Sequence, residues 1–195
     1  METKNDNLSA QESIDLITNM INQAKGNAGR SSFYFLIWGW AIAICNFGMY
    51  GMLKFSDYPS YAPIVWMLCI PTWIVTIIYG RNIQKTRKVI THLDKISMWI
   101  WICMTISIAP AWIFGAKINW MVNAIILMQA GGATFVSGII VRFRPLLIGG
   151  ITFWIAGLLC YFVDMADQYL IGGISMILGY LIPGYLLRNQ KEGDA

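Results

Sequence analysis

Six stretches of about 20 mostly apolar residues, separated by short polar connections, set the pattern of this chain. They run approximately from Phe33 to Leu53, Ala62 to Gly80, Ile96 to Gly115, Asn119 to Val141, Leu146 to Val163 and Gln168 to Leu187. At 1.5 Å per residue each is long enough to cross a hydrocarbon core of roughly 30 Å. They lack the period-2 alternation and turn spacing of an outer-membrane barrel. The pattern therefore predicts an all-α fold, a polytopic membrane bundle of six transmembrane helices. The connections after spans one, three and five are short, which predicts three antiparallel hairpins. Ahead of span one, "LSAQESIDLITNMINQAKGN" places Ser9 and Glu12 at capping-box spacing, and Ile14, Ile17, Ile21 and Ala24 recur at helical spacing. Gly26 is a natural stop. This predicts an N-terminal amphipathic helix and a division into residues 1–30, a cytoplasmic amphipathic segment, 31–188, the six-span domain, and 189–195, a cytoplasmic tail.

Composition and charge turn the pattern into a topology. With 57% hydrophobic and 12% charged residues, the chain falls well short of the roughly one-quarter charged residues of a soluble domain. Lys4, Lys25 and Arg30, then Arg81, Lys85, Arg87, Lys88 and Lys95, then Arg142 and Arg144, then Arg188 and Lys191 fall on one side. The other side carries only Lys54 and Lys117, with Asp57, Asp164 and Asp167. Basic residues are retained on the cytoplasmic side, so both termini are expected there. Phe33, Tyr34, Trp99, Trp101 and Tyr185 suit the inner interface, and Tyr61, Trp66, Trp112, Trp120 and Tyr169 the outer one. The net charge of +4 is spread over separate loops without interleaved aromatics, so no nucleic-acid partner is expected. Met1 to Asn7 is polar and leads into the amphipathic stretch, so no cleavable signal peptide is expected.

The spans offer little reactive chemistry. None has an ionisable residue at its centre, and Asp164 and Asp167 sit at the outer boundary. His92 is the sole histidine, on the basic loop beside Asp94, so paired haem ligation, a metal site and a nucleophilic triad all lack partners. Cys45, Cys69, Cys103 and Cys160 fall within apolar runs without a CxxC pair. Neither an enzyme, a metal nor a cofactor is expected.

Uncharged polarity is more ordered. At 100° per residue, Asn123, Gln129, Ala130, Ala133, Thr134 and Ser137 of span four share about 140° of arc, opposite Met121, Ile125, Met128, Phe135 and Ile139. Span four should be central. Two readings stand: amide and hydroxyl cross-links between closely packed helices, or a cavity for an uncharged or amphiphilic ligand lined by Asn46, Asn123, Gln129, Thr134 and Ser137.

Span six contains "GYLIPGY", yet ending it at Ile182 would leave about 15 residues, roughly 22 Å, too short to cross. The helix should therefore pass through Pro183 with a kink, freeing the Gly179 carbonyl, to which Tyr180, Tyr185 or a polar group from a neighbouring helix could donate. Pro71 poses the same problem in span two. Gly179, Pro183, Gly184 and Pro71 are candidate hinges, with further flexible points at the repeated "IGGI" of 148–151 and 171–174. A shift of 61 residues also lays Trp38 and Trp40 over Trp99 and Trp101, the kind of internal repeat that several transporter folds show.

The polar face of the N-terminal helix carries Glu12, Asp15 and amides instead of lysines, which disfavours docking to anionic lipid. Docking under the chain's own loops and contact with a protein partner through residues 8–25 both remain open, as does a homo-oligomer; membrane lipids are partners in any case. The segments "FYFLIWGWAI", "VRFRPLLIGGITFW" and "GYLIPGYLLR" resemble a group of small bacterial six-span membrane proteins without an assigned activity. The resemblance covers Phe33 to Arg188, implies a bacterial inner membrane and carries over no functional residues. Two functional expectations follow: a small permease or lipid and amphiphile transport component, or a non-transporting accessory, scaffold or signalling subunit.

Overall fold

The computed structural model describes residues 10–86 and 92–192. Ser9, the basic residues Arg87 and Lys88, and the side chains of residues 10–31 and of His92 lie outside what is described. The fold is all-α. Helix α1 (Ala10–Phe55) is followed by a 3-10 segment (Pro59–Leu68) that leads into α2 (Cys69–Thr86), and then by α3 (His92–Ile113). After a short 3-10 turn at Gly115–Ile118 come α4 (Val122–Val141), α5 (Arg144–Leu159) and α6 (Met165–Met176). A π-helical turn (Ile177–Leu181) joins α6 to α7 (Ile182–Glu192). Six helical stretches are long and apolar enough to cross a membrane: Ser32–Phe55, Pro59–Asn82, Leu93–Ile113, Val122–Val141, Arg144–Phe162 and Met165–Asn189. The architecture is that of a multi-pass membrane protein.

Gly26 does not end a helix. The backbone stays helical for all 46 residues of α1, so the N-terminal segment and span one are one element. A single interior glycine costs about 1 kcal/mol relative to alanine, too little to break a helix flanked by Ala24, Lys25, Ala28 and Arg30.

The closest packing is not within the three expected hairpins. Helices α4 and α5, joined through Arg142 and Phe143, lie against each other along their length, and α1 packs on α6 and α7. Spacing explains the first pair. Ala124, Gly131 and Gly138 recur every seven residues on α4 and face Gly157, Gly150 and Leu147 on α5. A Cβ on Gly131 would lie 2.9 Å from the Gly150 carbonyl oxygen, and one on Gly157 would lie 3.2 Å from that of Ala124. Small residues let the backbones approach, so dispersion and Cα–H···O contacts replace the hydrophobic drive that lipid removes. The expected lipid-facing side of α4 is accordingly part of the interface: Met128 meets Gly157, and Phe135 meets Gly150 and stacks on Trp154 with ring centroids 5.3 Å apart.

Both "IGGI" motifs are sites of close packing. No described glycine has a positive φ. Gly149 sits on the Gly179 carbonyl, Gly172 beneath Asn46 and Asn123, and Gly173 against the Phe47 ring. The 61-residue repeat is not carried into local structure, because the second arm of the first hairpin starts as a ten-residue 3-10 segment and that of the second is a regular helix.

Spans two and three stand apart. Only 11% and 6% of their most apolar stretches are buried, against 56% for span six. Helix α2 and its 3-10 lead-in pack on α1, and α3 packs on α4, while α2 and α3 make no sustained contact with each other. The core is thus α1, α4, α5 and α6–α7, with two flanking helices.

Candidate functional site

The predicted polar residues do not line one cavity. Asn46 and Asn123 do meet, as components of a buried amide cluster toward the end of the bundle where α4 and α6 begin. Asn46 is 1% exposed and Asn123 4%. Asn123 is the second residue of α4 and reaches across the helix junction, its Nδ2 donating to Asn46 Oδ1 (3.1 Å) and to the Gln168 carbonyl (2.6 Å). The Asn46 Nδ2 donates back to the Ile42 carbonyl at 2.9 Å. Gly172, one turn along α6 from Gln168, gives the two asparagines their space, since a Cβ there would collide with Asn46 Oδ1. Three helices are thereby tied together by neutral polar groups, each interhelical bond being worth about 0.6 kcal/mol and at most about 2 in a membrane.

Gln168, 1% exposed, belongs to the same cluster. Its Nε2 donates to Met121 Sδ at 3.1 Å and its buried Oε1 has no partner. An unsatisfied buried amide oxygen costs about 1–3 kcal/mol. Sequence reading placed this residue at the start of span six, where an amide looks solvated. The signal that it is buried was its spacing: Gln168 and Gly172 stand four apart and so share a helix face.

The remaining candidates separate. Thr134 lies 11 residues along α4 from Asn123, about 16 Å, and its Oγ1 donates to the Tyr180 hydroxyl at 3.2 Å in a fully buried pair. Ser137 donates back to the Ala133 carbonyl (2.7 Å). Gln129 points elsewhere, toward the Ser107 carbonyl of α3 at 3.4 Å, at an exposed position. The arc on the helical projection was wide enough to face two different neighbours. Asn46, Asn123 and Thr134 therefore cross-link helices, and Gln129 joins α3 to α4.

The hinge candidates are built differently from the expected simple kink. Before Pro183 the chain widens into the π turn, where the Ile182 N–H reaches back to the Ile177 carbonyl. The turn absorbs the missing proline N–H without a helix break. Neither Tyr180 nor Tyr185 serves the Gly179 carbonyl: the first hydroxyl is bonded to Thr134, and the second accepts from Trp40 Nε1 at 3.1 Å. That carbonyl instead rests on the Gly149 backbone, while Phe153 fills the space left by the absent Gly179 side chain. Gly184 lies against Leu36, and its carbonyl accepts from Ser32 Oγ at 2.9 Å. Pro71 lies just after the 3-10 segment passes into α2, and the Leu68 carbonyl is served by Thr72 Oγ1 at 2.9 Å.

Tryptophans tie the flanking helices to their neighbours. Trp66 of the 3-10 segment meets Trp112 of α3 edge to face at 5.2 Å, near the C-terminal end of α3. Farther in, Trp101 of α3 reaches Phe35 of α1 (6.2 Å) and Tyr180 of the π turn (6.3 Å). Helices α2 and α3 make no sustained contact with each other, and most of their apolar surface is exposed. Cys45 donates to the Val65 carbonyl (3.2 Å), and its thiol faces that of Cys69, one turn farther on. Sequence spacing gave no sign of this pairing, because the two cysteines lie 24 residues apart. Among the described residues no three His, Cys, Asp or Glu side chains come together. No family model, curated protein or solved structure matches this chain, so any functional reading rests on its own residues.

Proposed function

We propose that this protein is a small membrane component that binds and moves an uncharged or amphiphilic molecule, taken from the bilayer through a lateral window between spans two and three, which make no sustained contact. One observation carries this reading: consecutive spans two and three make no sustained contact with each other, α2 packing on α1 and α3 on α4, while Trp66 and Trp112 meet across the gap. The absence of charge at the span centres fits a neutral ligand, because a charged one in hydrocarbon would need a counter-ion. On this reading the protein is not an enzyme and lies in a bacterial inner membrane with both termini cytoplasmic; the basic end, with Arg81, Lys85, Lys95, Arg142, Arg144 and Arg188, supports that orientation. The test is photocrosslinking with a bilayer-resident diazirine lipid in proteoliposomes, followed by peptide mapping. Labelling concentrated on α2 and α3 beside Trp101, and reduced in Trp101→Ala, is expected; labelling spread evenly over all lipid-facing helices refutes the reading.

A second reading is favoured by α1 itself. Its helix continues for 22 residues before Ser32, about 33 Å, a length suited to a partner protein. Deletion of residues 1–25 leaves insertion intact on either reading. Loss of a stoichiometric co-purifying protein on that deletion favours an accessory or signalling subunit.

A further inference from the structure

Among the described residues, Gln168 and Trp66 each hold a buried polar atom without a partner, and Gln168 is the more deeply buried of the two. Its donor meets only a thioether and its acceptor meets nothing. Turning the carboxamide over would leave its NH2 without an acceptor and set its oxygen against a thioether that has no proton to give, so neither orientation completes it. Buried polar groups in native proteins are as a rule paired with protein or with a bound molecule. The surroundings are polar: the Asn46–Asn123 pair adjoins it, and the Gln168 carbonyl also receives the Cys160 thiol at 3.8 Å.

The chemistry of the missing group follows from its neighbours. Helices α4 and α6 both begin here, with their N–H ends turned to the site, which disfavours a cation. An anion would find an orphan oxygen. A neutral hydroxyl can donate to the orphan oxygen while Nε2 keeps its own acceptor, and it brings no charge into the core. We infer that a neutral hydroxyl group binds at the Gln168 carboxamide between α1, α4 and α6, supplied either by water or by the alcohol of a membrane lipid headgroup.

The location allows entry from the outer end. Gln168 is the fourth residue of α6 and adjoins Asp167, whose ion pair with Lys54 (3.1 Å) clasps α6 to α1 at a half-exposed position. Because Oε1 is sealed in the closed bundle, seating the hydroxyl requires the Gln168 side chain to rotate away from Met121. This site is separate from the lateral window and does not depend on the transport reading.

The test uses the full chain with labelled glutamine in bilayers, and reads solid-state NMR polarisation transfer from hydroxyl protons to the Gln168 carboxamide. The signal is assigned by its loss in Gln168→Met. Transfer in both phosphatidylcholine and phosphatidylglycerol bilayers identifies water, and transfer in phosphatidylglycerol alone identifies a headgroup alcohol. No transfer in either overturns the inference. The variant supplies a second readout. If a hydroxyl is bound, Gln168→Met shifts the unfolding equilibrium at least about five-fold toward the unfolded state, because it strands the ligand. If the site is empty, the isosteric apolar side chain leaves the equilibrium unchanged or favours the native state, which also overturns the inference.

Discussion

Gly149→Ala tests the packing of the core directly. Gly149 of α5 faces the π turn of span six, and a Cβ added there would run into the Gly179 carbonyl oxygen, with the Gly179 carbonyl carbon and Cα each 3.2 Å away. All three obstacles are backbone atoms, so no side-chain rotation relieves them. Either α5 or the π turn must retreat, and the Phe153 ring that fills the Gly179 notch must move with it. Overpacking of this kind costs about 1–3 kcal/mol, roughly a 5- to 150-fold change in the unfolding equilibrium. Gly132→Ala is the matched control. Nothing lies within 4 Å of a Cβ there, so the same added methyl should be neutral or stabilising by up to about 1 kcal/mol through helix propensity. Reversible unfolding in bicelles, followed by steric trapping, measures both. Equal stabilities for the two variants, or a larger loss for Gly132→Ala, would refute the close approach of α5 to span six.

Other parts of the structure can be tested in the same way. A double-mutant cycle of Asn46→Leu and Asn123→Leu should give a coupling of about 0.6–2 kcal/mol in unfolding, and additive single effects would mean that the two amides do not meet. In a Cys103→Ser, Cys160→Ser background, a lipid-permeant thiol oxidant should join Cys45 to Cys69 within one chain, seen as a disulfide-linked peptide pair by mass spectrometry; no such pair would contradict the packing of α1 on the start of α2. Pro183→Ala restores an N–H and should let the π turn revert toward regular α-helix, slowing hydrogen exchange across Ile177–Leu181, whereas unchanged exchange would show that the turn is set by Phe153 and Gly149 instead. Asp167→Ala should cost no more than about 1 kcal/mol, because its ion pair with Lys54 is half-exposed; a loss of several would place that pair in a buried network.

How much of this was legible in the sequence differs from residue to residue. Asn46 and Asn123 were legible as candidate interior polar groups, because uncharged polar residues inside apolar spans turn away from lipid, but their pairing with each other was not. Gln129 and Thr134 were grouped with them wrongly, since a helical projection gives the direction of a side chain but not which helix stands there. Gln168 was passed over at a span boundary, where burial depends on how far the neighbouring helices extend. The glycines show the same limit: "IGGI" reads as flexibility in isolation and as close contact once Gly179, Asn46 and Phe47 are in place.

The sequence by itself determined the solvent, the number of spans and which end of the bundle is basic, because these depend on local hydropathy, length and charge, each of which acts on a single segment. The tertiary structure alone decided that α4 pairs with α5, that spans two and three stand apart, that Pro183 is absorbed by a π turn, and that Cys45 faces Cys69. In lipid the apolar exteriors of all six helices are nearly equivalent, so their arrangement is set by small-residue fit and a few polar cross-links. Those are relations between segments far apart in the chain, and no single segment records them.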